Sequence, residues 1–317
     1  MEADFIFDVS PVPSVHASTL AEAPGGGLLA AWFGGSFEGH DDVGIWLAQK
    51  SKAHRRWSEP RLVADGVQAD GKRFSCWNPV LHRHRDGTLS LFYKVGPSPR
   101  RWWGMVTRSN DAGRTWDPPE RLASGILGPI KNKPVETAGG LLISPSSSEH
   151  DGWRVHLEYS RDGGRTWRAG KPLNTGRDFA AIQPCILAFA GGFQLLCRSR
   201  QGVIAECRSA DGLHWSKMHP TALPNPDSGI DGAVLPDGRG LVVYNHSSRK
   251  RTPLNVAVSR DEGRTWVPVL VLERDAGEFS YPAVIVDGEG MVQLAYTWNR
   301  QTIRHVSVDP RELSRLA

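Results

Sequence analysis

Cysteine is scarce. The 317-residue chain has four, Cys76, Cys185, Cys197 and Cys207, and no two form a Cys-x-x-Cys pair. They are read as reduced, buried thiols, because two disulfides would be expected only with an export signal. The opening Met-Glu-Ala-Asp-Phe-Ile-Phe-Asp carries acidic residues and no apolar signal core, so a cytoplasmic location is expected. No apolar run approaches the roughly 18 residues of a membrane-crossing helix, and no membrane partner is expected. There is no phosphate-binding loop and no Gly-x-Ser-x-Gly elbow. The net charge of +4 comes from scattered Lys and Arg. With no helix-borne basic stripe and no recognition motif, nucleic acid is not expected either, whereas a mildly basic field suits an anionic substrate. No low-complexity linker divides the chain, which is read as one domain over residues 1–317.

What the chain has is repetition. Ser160-Arg-Asp162-Gly-Gly164-Arg-Thr166-Trp167 recurs as Ser109-Asn-Asp111-Ala-Gly113-Arg-Thr115-Trp116 and as Ser259-Arg-Asp261-Glu-Gly263-Arg-Thr265-Trp266. Ser209-Ala-Asp211-Gly212-Leu-His-Trp215 is one residue shorter, and Ser51-Lys-Ala-His-Arg-Arg-Trp57 is a decayed copy. The tryptophans are separated by 59, 51, 48 and 51 residues, a period near that of a four-stranded propeller blade. Ser and Asp side chains bond turn amides, Gly supplies a positive φ, and Trp fills apolar space beside the turn. Each copy follows a strand-like run and reads as the hairpin between a blade's two outer strands.

A second repeat alternates with the first. Apolar runs flank turns at Pro24–Gly27, Asp86-Gly87, Gly139-Gly140, Gly191-Gly192, Asp237-Gly238 and Asp287-Gly288, which predicts six inner hairpins. The fold class is therefore all-β, a six-bladed β-propeller with almost no helix. An N-terminal strand over Asp4–Val9 is expected to close the ring.

Propeller topology brings the starts of first strands and the ends of second strands to one mouth. The first group supplies His16, Asn78, Lys133, Gln183, Asp231 and Tyr281. The second supplies Glu38, Asp41, Asp42, Lys94, Arg198, Arg200, His246, Arg249 and Arg300. A propeller axis is often a wet polar channel, so the ensemble carries the functional reading and no single residue does. Trp77, Trp102, Trp103 and Trp298 lie in or near these loops and could stack on a sugar ring. Glu38-Gly-His40-Asp41-Asp42 sets His beside carboxylates, but adjacent loop residues signal metal only weakly, and neither metal nor cofactor is expected.

The first repeat resembles the Asp-box, or BNR, repeat of the sialidase-like β-propellers, and the resemblance extends over essentially the whole chain. It implies an exo-glycoside hydrolase acting on an acidic oligosaccharide or glycoside. By that resemblance Tyr281 in Phe279-Ser-Tyr-Pro is the nucleophile and Asp41 or Asp42 the general acid. Arg198 and Arg249, or failing it Arg251, belong to an arginine triad that grips the substrate carboxylate. Lys133, Asn78, Lys94, Asp231, His246 and Arg300 are further candidate substrate contacts. Two positions depart from the pattern. His16 stands where the family has its first triad arginine, and a guanidinium's paired hydrogen bonds to carboxylate cannot be copied by imidazole. Gln183 stands where a Glu assists the Tyr, so His16 or His246 would have to serve as base. A Tyr nucleophile suits a sugar with a carboxylate at its anomeric carbon. A lyase cleaving uronic-acid glycosides by β-elimination is the alternative, with Arg198 or Lys133 neutralising the uronate, His16 or His82 as base and Tyr281 as acid. A carbohydrate- or protein-binding propeller without chemistry is the third reading.

Overall fold

Alternating apolar runs broken by Gly turns give 24 strands in six four-stranded antiparallel sheets. The computed structural model describes residues 1–53, 56–177 and 179–315. Blade one comprises Ser14–Glu22, Leu28–Gly35, Gly44–Lys50 and Arg61–Ala64, and blade two Cys76–Arg83, Leu89–Val95, Trp103–Ser109 and Glu120–Arg121. Blade three has Val135–Glu136, Leu142–Ser148, Arg154–Ser160 and Arg168–Ala169. Blade four follows with Ala181–Phe189, Gly192–Ser199, Val203–Ser209 and His219–Pro224, and blade five with Asp231–Val234, Gly240–Asn245, Leu254–Ser259 and Val267–Glu273. Blade six takes Phe279–Val286, Val292–Trp298 and Thr302–Val308 from the C-terminal end and Glu2–Phe5 from the N-terminal end.

The closing strand is thus Glu2–Phe5, paired from Glu2 with Ser307 to Phe5 with Arg304, and not Asp4–Val9. Ile6 and Phe7 leave the strand and turn inward to be buried, whereas Phe5 and Val9 on either side stay exposed. The Phe7 ring lies 5.0 Å from that of Trp32. A four-residue helix, Glu312–Arg315, is the one helix among the described residues, and none is long and apolar enough to cross a membrane. All four cysteines are buried and unpaired.

The core is not central. It is divided into apolar clusters, each between two neighbouring blades: Val256 with Val284 and Tyr296 between five and six, Leu195 with Ile143 between four and three, Phe33 with Leu91 between one and two. Every box tryptophan enters the cluster shared with the preceding blade, Trp116 on blade one, Trp167 on two, Trp215 on three, Trp266 on four and Trp57 on six. His54 and Arg55 of the decayed copy lie outside the described residues.

The box turns are built alike. Ser160 Oγ donates to Asp162 at 2.7 Å and accepts from the Gly164 amide at 2.8 Å, while Asp162 accepts from the Thr166 amide at 2.9 Å and its hydroxyl at 2.6 Å. In the short copy His214 replaces Thr, its Nδ1 2.7 Å from Asp211 Oδ2. The box glycine meets the neighbouring blade. A Cβ on Gly113 would lie 2.3 Å from Leu29 of blade one, at φ +82°. The glycine carbonyls are clamped by the same neighbour: Arg61 and Gln49 donate to Gly113 O at 2.5 and 2.7 Å, Arg108 to Gly164 O at 3.1 Å, and Arg208 to Gly263 O at 2.6 Å.

Gly113→Ala combines a left-handed backbone with overpacking against Leu29 and is expected to lower stability by about 2 kcal/mol or more, read as a fall in urea midpoint at unchanged m. Acid should also destabilise the ring early. Burial, then Lys50, lowers the His305 pKa to about 4. Burial, then His84 and Lys133, lowers that of His82 to about 3. The unfolded chain protonates these rings below about pH 6.5, so it binds more protons than the native state there. Their contribution is full above that pH and is lost as pH falls, at about 1.4 kcal/mol per unit for each ring. The melting temperature should drop from pH 6.5 to 4, and the slope should flatten in His82→Gln/His305→Gln.

Candidate functional site

Four innermost strands carry the same irregularity near their starts. Ala17, Asn78, Gln183 and Tyr281 have φ of 56°, 40°, 54° and 52°, and pairing shifts register between His16 and Thr19, Trp77 and Val80, Ile182 and Cys185, and Ser280 and Ala283. Left-handed backbone costs a non-glycine residue about 1–3 kcal/mol. The bulge breaks in-out alternation and re-aims a side chain. Gln183 of blade four and Tyr281 of blade six consequently meet across the axis, Gln183 Nε2 lying 3.5 Å from the Tyr281 hydroxyl.

Tyr281 is the centre of the cluster and is buried. Its hydroxyl accepts a hydrogen bond from Arg198 Nη1, which also donates to Gln183 Oε1 at 3.2 Å. The His16 ring lies 4.3 Å from the Tyr281 ring, and the Arg251 guanidinium 5.6 Å from it. Glu278 holds two cations, Arg251 at 2.7 Å and Arg300 at 3.1 Å, and Arg300 reaches on to Glu38 at 2.5 Å. His16 is buried, with Nδ1 3.0 Å from Thr297 Oγ1. Burial, then the charges of Arg300, Arg251, Arg198 and Lys131, pushes its pKa well down, so its ring is neutral.

Beneath the cluster lies Lys131 of the blade-three loop. Its ammonium donates to Asn132 Oδ1 and Ile230 O, both at 2.9 Å, and to Pro282 O. Burial, then Lys133 and Arg198 against the attraction of Asp231, lowers its pKa to about 7. Gly229 gives Lys131 and Tyr281 room: a Cβ there would lie 3.1 Å from Tyr281 Cγ and 3.2 Å from Lys131 Cε.

Among the described residues, no hydrogen bond joins the remaining sequence candidates to Tyr281. Arg249 and His246 are exposed. The Ser247 hydroxyl accepts from the amides of Arg249 and Lys250, and the turn so made delivers Arg251 to Glu278 in place of Arg249. His246 Nδ1 pairs with the Tyr244 hydroxyl at 2.5 Å. Lys94 points between blades and donates to Pro129 O. Lys133 pairs with Asp231, which also accepts from the Val284 amide at 2.8 Å. Both line a cavity of about 380 Å³ further along the axis, together with His82. Asn78 is buried at the equivalent bulge of blade two. In the blade-one loop, Asp42 accepts from the Ser36 amide at 3.0 Å and hydroxyl at 2.5 Å and lies 2.8 Å from His40 Nδ1. Burial opposes these bonds, yet they draw its pKa down to about 2, leaving a carboxylate committed to its own loop. Asp41 is exposed beside it. Among the described residues no three metal-ligating side chains cluster.

The blade-three mouth loop holds what the sequence reading overlooked. Trp153 lies under two cations, 4.7 Å from Arg198 and 4.2 Å from Arg200. Its indole N–H donates to Glu149 Oε2 at 3.1 Å. The loop follows Leu142–Ser148, a second strand, so the topological rule that found Arg198 would also have found Glu149.

The chain matches the family model described as "BNR repeat-like domain" over residues 26–294. No curated protein matches in sequence. Among solved structures it is similar to the Hadza microbial sialidase Hz136, at TM-score 0.81 and 17% identity, covering 95% of this chain and 66% of that one. It is similar to a protein of unknown function from Dyadobacter fermentans, at 0.80 and 16%, covering 97% of each chain. It is also similar to the intramolecular trans-sialidase of Ruminococcus gnavus, at 0.76 and 14%, covering 98% of this chain and 97% of that one. The chain belongs to the BNR repeat-like domain family, and its fold is the six-bladed propeller of the sialidases.

Proposed function

We propose that the protein is a sialidase-like exo-glycosidase that binds an acidic sugar at the mouth around Tyr281. The observation carrying this reading is the hydrogen bond from Arg198 to the Tyr281 hydroxyl, with Arg251 close over the ring. Arg300 joins them through Glu278. It would supply the third cation that His16 does not. Guanidinium groups bind carboxylate in paired geometry and are weakly hydrated, which suits a half-buried pocket. Arg198 also stabilises negative charge on the Tyr281 oxygen as it attacks the anomeric carbon. Gln183 orients that oxygen but cannot take its proton. His16 resists protonation beside the arginines, and a bound carboxylate would relieve that by neutralising them.

One observation favours β-elimination as the second reading: His16 is held neutral beside Tyr281, as a base must be before it removes a proton. In that reaction the C5 proton passes to the base, the C4–O bond gives its electron pair to the leaving oxygen, which takes a proton from the acid, and a C4=C5 bond remains.

The test is a panel of sialosides and uronate-containing oligosaccharides, with products identified by mass. Under the hydrolase reading Tyr281→Phe lowers sialoside kcat by at least about 10³-fold at an unchanged fold. Arg198→Lys raises KM about tenfold, the equivalent of about 1.4 kcal/mol. Products carrying a new C=C bond and no added water, abolished in His16→Ala, would replace hydrolase with lyase. No product from any glycoside would leave a binding propeller.

A further inference from the structure

The site as described lacks a convincing proton donor. Asp42 is an anion tied to Ser36 and His40, and Asp41 is an exposed carboxyl. A general acid must keep its proton near neutral pH and still reach the leaving oxygen. Burial is the usual means. At this mouth the carboxyl with that setting is Glu149. It is half-buried and accepts from the Trp153 indole N–H, and the same indole lies 4.7 Å from Arg198, whose Nη1 touches the Tyr281 hydroxyl. One tryptophan therefore joins Glu149 to the residue that contacts the reacting centre.

We propose that Glu149 is the general acid of this site, protonating the leaving oxygen of the glycoside, with Trp153 as the residue that positions it. The proposal rests on the glycosidase reading above. The groups facing Glu149 are the Trp153 N–H, Arg198 and Arg200 of blade four, and Arg100 of the blade-two mouth loop. Burial outweighs Arg198, the Trp153 bond, Arg200 and Arg100 and raises its pKa, so the carboxyl holds its proton to higher pH than an exposed one. In the reaction the glycosidic C–O bond breaks and its electron pair goes to the leaving oxygen, which takes the Glu149 proton and departs as an alcohol. The Tyr281 oxygen bonds to the anomeric carbon and gives its own proton to His16. Water then attacks that carbon, returning a proton to Glu149. The Tyr281 oxygen leaves and regains its proton from His16.

The experiment compares an aryl glycoside, 4-nitrophenyl α-sialoside, with sialyl-lactose, whose leaving alcohol needs protonation. Glu149→Gln should lower kcat/KM on sialyl-lactose by about 10²–10⁴-fold while changing that on the aryl sialoside only a few-fold, whereas kcat falls on both because Glu149 also takes the proton of the attacking water. Trp153→Phe removes the N–H that favours the carboxylate, so the alkaline limb of the sialyl-lactose pH profile should move to higher pH. Equal losses of kcat/KM on both substrates in Glu149→Gln, or a leaving-group split in kcat/KM in Asp41→Asn instead, would overturn the assignment. Wild-type protein inactive on both substrates would overturn the glycosidase reading and Glu149's role with it, and that result appears before any variant is made.

Discussion

One buried ammonium fixes the geometry on which the site depends. Lys131 leaves blade three, crosses the axis and donates to backbone carbonyls next to Asp231 in blade five and Tyr281 in blade six. Three acceptors match the three donors of an ammonium, so the desolvated group is satisfied as long as it is charged. Loss of any acceptor would leave a buried N–H unpaired, at a cost of about 1–3 kcal/mol. The bond to Pro282 follows directly on Tyr281, whose left-handed backbone needs support from outside its own strand. Tyr281 is therefore held by a blade on the other side of the ring.

Outside the axis the blades are joined by a different device used repeatedly. Each box tryptophan packs on the preceding blade, and Arg61, Arg108 and Arg208 of preceding blades hold a box glycine carbonyl. The turn that looks local in sequence is thus an interface. This separates two demands. Box residues set the angle between blades from the side away from the mouth, and the loops at the mouth are left free to carry charge. Glu38, Glu278, Arg251 and Arg300 use that freedom by forming one ion network across blades one, five and six.

The fold was legible because its signals are local. Ser, Asp, Gly and Trp recur at fixed offsets for reasons internal to the turn, and Gly turns between apolar runs mark each inner hairpin. Tyr281, Gln183, Arg198 and His16 could be placed together because strand starts and ends share a mouth. Lys94 obeyed the same rule, but side-chain alternation turned it between blades. Arg249 and Arg251 are two residues apart, and only the Ser247 turn decides which one faces Glu278. Glu149 follows a second strand, within reach of the same rule, but no motif marks it or Trp153. Their relation to Arg198 exists only in three dimensions.

The pairing of Glu2–Phe5 with Thr302–Val308 has a consequence for synthesis. At ribosomal rates of roughly 5–20 residues per second, the first strand waits on the order of 15–60 seconds for its partner to emerge. Through that interval its apolar neighbours Ile6 and Phe7 have no completed interface with blade six, and the outer edge that will accept the strand has not been made. Until that pairing forms, a nascent chain with five blades built would expose one unpartnered face at each end. This interval is when the molecule most needs protection from association with its own copies.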